Sequence, residues 1–214
     1  MSSLETFGDD VKMSSNRRKI SNPSPLGLSA FAMNTFVYSV YIYGVRGIDR
    51  DNVGVGLALF YGGVIQVLAA MWEMYYGNTF PATVFASYGG FWISFGFISL
   101  PASGILQAFE GDPQMLNNAL GMFLVGWTIF TTLMVICALR TNVVLITAFI
   151  MLDLTYIMLD CYRFTGETIF NKIGGIFGVI TAFIVWYLAC AQLLTKETSY
   201  FILPVGDRTA VAKV

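Results

Sequence analysis

The sequence contains no histidine, and lysine, arginine, aspartate and glutamate together make up only 12% of its 214 residues. The first absence removes the commonest metal ligand and the one side chain that titrates unaided near neutral pH. Proton chemistry would therefore fall to carboxylates, tyrosine, lysine or water. The second absence leaves too little polar surface to coat a water-soluble globule, which is normally about a quarter charged. Cysteine is also scarce. Cys137, Cys161 and Cys190 are odd in number and widely separated. No CxxC pair or zinc spacing occurs, so the reading is buried thiols without metal or cofactor. Positive charge is not in surplus, since twelve basic residues face thirteen acidic ones, and nucleic acid is not an expected partner. No glycosylation sequon occurs.

What the chain has is apolar length. Hydrophobic residues reach 56%, and the mean hydropathy is +0.67. After a polar, Ser-rich segment (1–21), six apolar stretches follow at 24–44, 54–76, 81–100, 117–139, 143–162 and 173–194. Each is about 20 to 23 residues, and at about 1.5 Å per residue that crosses a ~30 Å hydrocarbon core. Barrel strands would alternate in segments of about ten residues, and these stretches do not alternate. The expected fold is all-α, a polytopic membrane protein with a bundle of six transmembrane helices at 22–195. A disordered cytoplasmic tail (1–21) precedes it and a cytoplasmic tail (196–214) follows. The first stretch follows a polar segment and lacks a small-residue cleavage site, so it reads as a span and not a removed leader. Short connections at 77–80 and 140–142 make helices two and three, and four and five, antiparallel neighbours.

Orientation follows from basic residues flanking the spans. Lys12, Arg17, Arg18, Lys19, Arg140, Lys196, Arg208 and Lys213 fall on one side, and Arg46, Arg50, Arg163 and Lys172 on the other. Eight against four favours cytoplasmic termini. Aromatics near span ends, such as Tyr75, Tyr76 and Tyr162, fit an interfacial belt. Gly174-x-x-x-Gly178 fits the close-packing motif of membrane helices.

Charged groups inside spans cost about 2.5–3.5 kcal/mol on insertion scales, and so draw attention as functional candidates. Glu73 lies about a turn from the end of span two, Asp153 in the middle of span five and Asp160 near its end. Each admits two readings, a structural partner or a role in transport; Glu73 and Asp153 are the proton-coupling candidates. Mid-span Gln66 either knits helices together or donates to an anion. Asp153 and Asp160 lie about 10 Å apart along a helix axis, too far for a shared-proton dyad. With no nucleophile, metal cluster or acid–base pair, no enzyme is expected.

The most specific local signal opens span one: Asn22-Pro23-Ser24-Pro25-Leu26-Gly27-Leu28. Proline starts a helix well because its missing N–H would be unpaired there anyway. A helix start also offers free N–H donors to an anion. This segment resembles the signature of the acetate uptake transporter family, whose fungal members are also called ammonia transport outward proteins. The resemblance continues through Tyr61-Gly62-Gly63-x-x-Gln66, Glu73, Gly77-Asn78-Thr79-Phe80, Ser87-Tyr88-Gly89-Gly90-Phe91-Trp92 and Leu203-Pro204-Val205-Gly206. One departure is Pro81, where relatives often carry glycine.

The resemblance implies transport of acetate and similar small monocarboxylates, proton-coupled or channel-like, with a separate path in each protomer of a homo-oligomer, a hexamer by analogy. It implies a plasma-membrane location. A constriction is expected at Phe31, Tyr88 and Leu152. The wider substrate-facing set comprises Asn22, Leu26, Gly27, Leu28, Thr35, Gln66 and Trp92. The Tyr88 hydroxyl, Gln66 and backbone N–H groups of span one are expected to hold the carboxylate. Ammonia export and acetate sensing remain alternatives.

Overall fold

The computed structural model describes residues 21–48 and 50–208. Apart from Ser21, the expected disordered tail (1–21), with Lys12, Arg17, Arg18 and Lys19, lies outside the described residues, as does Lys213. The described chain forms six long helices: α1 (Ser24–Tyr43), α2 (Gly54–Tyr75), α3 (Thr79–Ser99), α4 (Pro113–Ala138), α5 (Val143–Thr165) and α6 (Thr168–Leu193). Four of them, α2, α4, α5 and α6, are both long and apolar enough to cross a membrane. Helices α1 and α3 have the length but carry more Ser, Thr, Asn and Tyr, much of it directed inward: Asn34, Thr35, Ser39 and Tyr88 are all buried.

The outer surface is apolar. Phe60, Trp72, Ile129 and Phe183 are each more than half exposed on the helix flanks. Water would penalise such a surface, and lipid accepts it.

Two helices begin earlier than the apolar stretches. Helix α4 starts at Pro113, with the Asp112 carboxylate accepting from the Met115 N–H at 2.9 Å. Its first turns are polar, with Gln114, Asn117 and Asn118, so hydropathy misses them. The polar turn Thr168–Lys172 hides the start of α6 in the same way. Pro81 sits in the first turn of α3, where a missing N–H breaks no helical bond.

The helices close a ring. Helix α1 packs on α6 and α2, α6 on α5, α5 on α4, and α2 on α3. The α3–α4 gap is bridged by long side chains: the Phe91 ring lies 5.9 Å from Phe123 and 5.1 Å from Trp127. Tight packing at α1–α6 rests on Gly178, where a Cβ would collide with the Ser39 side chain. Gly175 shares this contact, against Ser39 and Tyr43 of α1, whereas Gly174, the other glycine of the sequence motif, faces Met158 and Leu159 on α5.

Even helix number brings both described ends to one end of the bundle. There the Asn22 Nδ2 donates to Gln192 Oε1 at 3.0 Å. The chain after α6 also returns to this end. Gly206 and Val205 carbonyls accept from the Val143 and Val144 N–H groups, and the Arg208 N–H donates to Thr141 at 2.8 Å. The Tyr187 hydroxyl donates to the Pro204 carbonyl at 2.8 Å. The Leu-Pro-Val-Gly motif is therefore a docked strap across the α4–α5 turn.

Candidate functional site

The ring encloses two cavities stacked along its axis. The one toward the termini is small, about 30 Å³, and nearly all apolar; Leu28, Phe31, Gln66, Val84, Phe85, Tyr88, Leu145, Phe149, Leu152 and Val185 line it. That is room for roughly two waters or a solute of a few heavy atoms. The other, toward the 44–53 and 166–167 turns, is a vestibule of about 200 Å³. Its wall includes Thr35, Tyr38, Trp92, Tyr156, Arg50, Asp51, Arg163 and Asn171.

Phe31 and Leu152 border both cavities. Tyr88 meets Phe31 edge to face, with ring centroids 5.3 Å apart. Phe31 of α1 and Leu152 of α5 thus stand between the cavities, and Tyr88 of α3, which lines only the small one, backs Phe31. Side-chain direction explains why distant positions converge. Residues 31, 35, 38, 39 and 42 recur at helical spacing on one face of α1, and 152, 155, 156, 159 and 163 do so on α5.

Gln66 stands at the small cavity, fully buried, with neither amide atom hydrogen-bonded. An unpaired buried amide costs about 1–3 kcal/mol, so the position is set up for a polar guest. Gln66 directly follows a π-helical stretch in α2, Ala58–Ile65. Such wide turns shift the register of a helix face and recur at functional sites. Gly62 within it is pressed against Asn34, leaving no room for a Cβ. In the vestibule, Thr35 Oγ1, Tyr38 OH and Trp92 Nε1 are likewise buried without partners.

The Tyr88 hydroxyl is tied to α4, 2.8 Å from Thr131 Oγ1. Either hydroxyl of that pair can donate, since Thr131 Oγ1 also lies 2.8 Å from the Trp127 carbonyl. What Tyr88 presents to the cavity is its ring. The Tyr88 hydroxyl, which the resemblance offers to a carboxylate, is held by Thr131 on α4.

The remaining sequence candidates divide between path and scaffold. Leu28, Thr35 and Trp92 line the cavities. Gly27 packs under the Phe85 ring, where a Cβ would lie 2.7 Å from it. Leu26 is half exposed on the outer face. Asn22 accepts from the Ser24 N–H at 3.0 Å as well as donating to Gln192, an end-tying role. Glu73 is fully buried but lines neither cavity. It accepts from the Ser24 hydroxyl and, at 2.7 Å, from Asn78 Nδ2, fastening the start of α1 to the α2–α3 turn. Asp153 sits on the α4–α5 seam, accepting from Thr132 at 3.1 Å, and Asp160 accepts from Thr128 at 2.7 Å. Among the described residues no group of three His, Cys, Asp or Glu could hold a metal ion.

Sequence reasoning missed Tyr38, Phe149, Tyr156 and the vestibule use of Arg50, Arg163 and Asn171. The helical spacing from Phe31 along α1 and from Leu152 along α5 was the available signal for most of them.

A family model described as the GPR1/FUN34/yaaH family matches residues 7–208. The chain belongs to this family. Acetate permease A of Emericella nidulans is 44% identical over 217 residues, covering 95% of this chain and 73% of its own length. Ammonia transport outward protein 2 of Saccharomyces cerevisiae is 44% identical over 195 residues, covering 89% and 69%. Among solved structures, the bacterial acetate channel SatP superposes with a TM-score of 0.77 at 31% identity, covering 88% of this chain and all of that one. GPR1/FUN34/yaaH membership thus agrees with the fold as well as the motifs, and the six-helix ring is shared with a channel.

Proposed function

We propose that this protein carries acetate and similar small monocarboxylates across a bilayer, through a path inside its own helix ring. The observation that carries the reading is the unpartnered Gln66 amide, buried beside an apolar partition between two cavities. Acetate has a methyl and a carboxylate. The Phe31, Tyr88 and Leu152 ring accepts the first and resists the second, because a bare anion loses hydration there. The Gln66 Nε2 donor offsets that loss on one side, and the vestibule donors do so on the other. Hydrophobic constrictions of this kind gate by dewetting.

The carboxylates Glu73 and Asp153 border neither cavity and Asp51 stands only in the wide vestibule, so the substrate's own carboxyl is the group placed to carry the transported proton across the partition. Passage of the neutral acid through the partition meets the smaller barrier. The relatives named as an acetate permease and an acetate channel support the same substrate class. The family resemblance further supports a plasma-membrane hexamer, each protomer with its own path, and the basic-residue bias supports cytoplasmic termini. We place no catalytic chemistry in the bundle.

Labelled acetate uptake into proteoliposomes, with and without an inward proton gradient, tests the proposal. Protein-dependent uptake that saturates is expected. Binding of acetate without flux would instead make the protein a sensor, and flux of ammonia alone would make it an exporter.

A further inference from the structure

We propose that the vestibule is an anion-collecting site and that Arg163 is the residue that charges it. The inference rests on the carboxylate-transport reading above and assigns a second station, distinct from the Gln66 cavity. The vestibule wall carries two guanidiniums, Arg50 and Arg163, and one carboxylate, Asp51, leaving one net positive charge. Arg163 lies in the last turns of α5, at the membrane boundary end of the bundle. Its Nη1 donates to the neutral Asn117 Oδ1 at 3.2 Å, and its guanidinium lies 5.5 Å from the Tyr162 ring centroid. Neither contact neutralises the charge; the carboxylate whose field reaches it is Asp51, already counted in that balance. Five N–H donors of fixed geometry are present on that group and one is used in the structure's side-chain bonds.

A second, independent feature points to a ligand in the same space. Two hydroxyls there are more than nine-tenths buried and lack partners: Tyr38 OH nearer the mouth, against Gly54, and Thr35 Oγ1 deeper, one turn from Phe31. A guanidinium at the wide end followed by unpaired hydroxyls toward Phe31 makes a graded track. Charge draws the anion from water, and neutral donors then hold it where it can take up a proton before the partition. The ligand class is a small carboxylate anion. An ammonium ion is disfavoured by the same field. Positive charge lining a partly enclosed cleft raises the local concentration of anions and weakens with salt.

The test is acetate flux in proteoliposomes near neutral pH, where the substrate is almost wholly anionic, read as half-saturation and maximal rate. Arg163→Gln is expected to raise the half-saturating concentration about 3- to 10-fold, the order expected for one charge acting through a partly hydrated interior. The maximal rate stays close to wild type. Arg163→Lys restores most of the affinity. Asn117→Ala, which removes the neutral contact and keeps the charge, stays within about twofold of wild type. Rising salt raises half-saturation in the wild type and has little effect in Arg163→Gln. Unchanged half-saturation in Arg163→Gln, or equal loss in Arg163→Lys, overturns the proposal. Should the variants misfold, a salt-independent wild type overturns it as well. A wild type with no acetate flux at all refutes the transport reading instead, a result separable from these.

Discussion

Replacing Gln66 with methionine separates a binding group from a structural one. The two side chains have nearly the same length and volume, so packing around α2 is preserved. Gln66 is fully buried and both of its amide atoms lack protein partners. An orphaned buried amide costs the fold about 1–3 kcal/mol, whereas a hydrogen bond to a charged ligand contributes about 1.5–3 kcal/mol. The substitution therefore acts in opposite directions on stability and on substrate. Thermal unfolding in detergent is expected to stay level or move upward. Half-saturation for acetate is expected to rise roughly 10- to 150-fold, since each 1.4 kcal/mol is a factor of ten. Melting by intrinsic fluorescence and flux in proteoliposomes, measured on one preparation, give both numbers. Wild-type half-saturation in Gln66→Met, or a clear fall in melting temperature, would refute the reasoning, because the amide would then be serving the helices.

Phe31→Ala opens the partition between the 30 and 200 Å³ cavities; discrimination between acetate and larger monocarboxylates should fall, and unchanged selectivity in competition uptake contradicts the gate assignment. Tyr88→Phe keeps the ring and removes only the hydroxyl bonded to Thr131. It should cost about 0.5–1.5 kcal/mol of stability with selectivity intact, so loss of acetate affinity in that variant would return the hydroxyl to the path. Uptake at fixed total acetate should increase as pH falls toward the carboxyl range, because the neutral acid fraction grows. Glu73→Gln should leave that pH profile in place, since Glu73 lines neither cavity; a profile displaced along the pH axis would show that Glu73 takes part in proton coupling.

Legibility differed by kind of feature. Span positions were readable because lipid-facing helices must be apolar along their whole membrane length, and the helices beginning at 54 and 143 start where hydropathy places them. Helix starts at Pro113 and Thr168 were not, since the polar overhang of a helix carries no hydropathy signal. Motifs around Phe31 and Tyr88 pointed to residues that line the small cavity, with Leu152 resting on weaker local pattern. Glu73 shows where such reading fails. A buried carboxylate in a span stands out in a linear sequence, yet its partners, Ser24 and Asn78, lie 49 and 5 residues away, and only folding reveals them.

By itself the amino-acid sequence determined the solvent. A chain with 12% charge and six long apolar stretches has to sit in lipid, and in lipid its backbone has to be helical. It also determined family, through ordered local motifs. Tertiary structure alone decided which faces of those helices look inward, that Gln66 is left unpaired while Tyr88 is not, and that Phe31 and Leu152 stand between the small cavity and the vestibule. The physical reason is that hydropathy reports the average surroundings of a helix, whereas a pathway is made by a few side chains from different helices meeting on one axis.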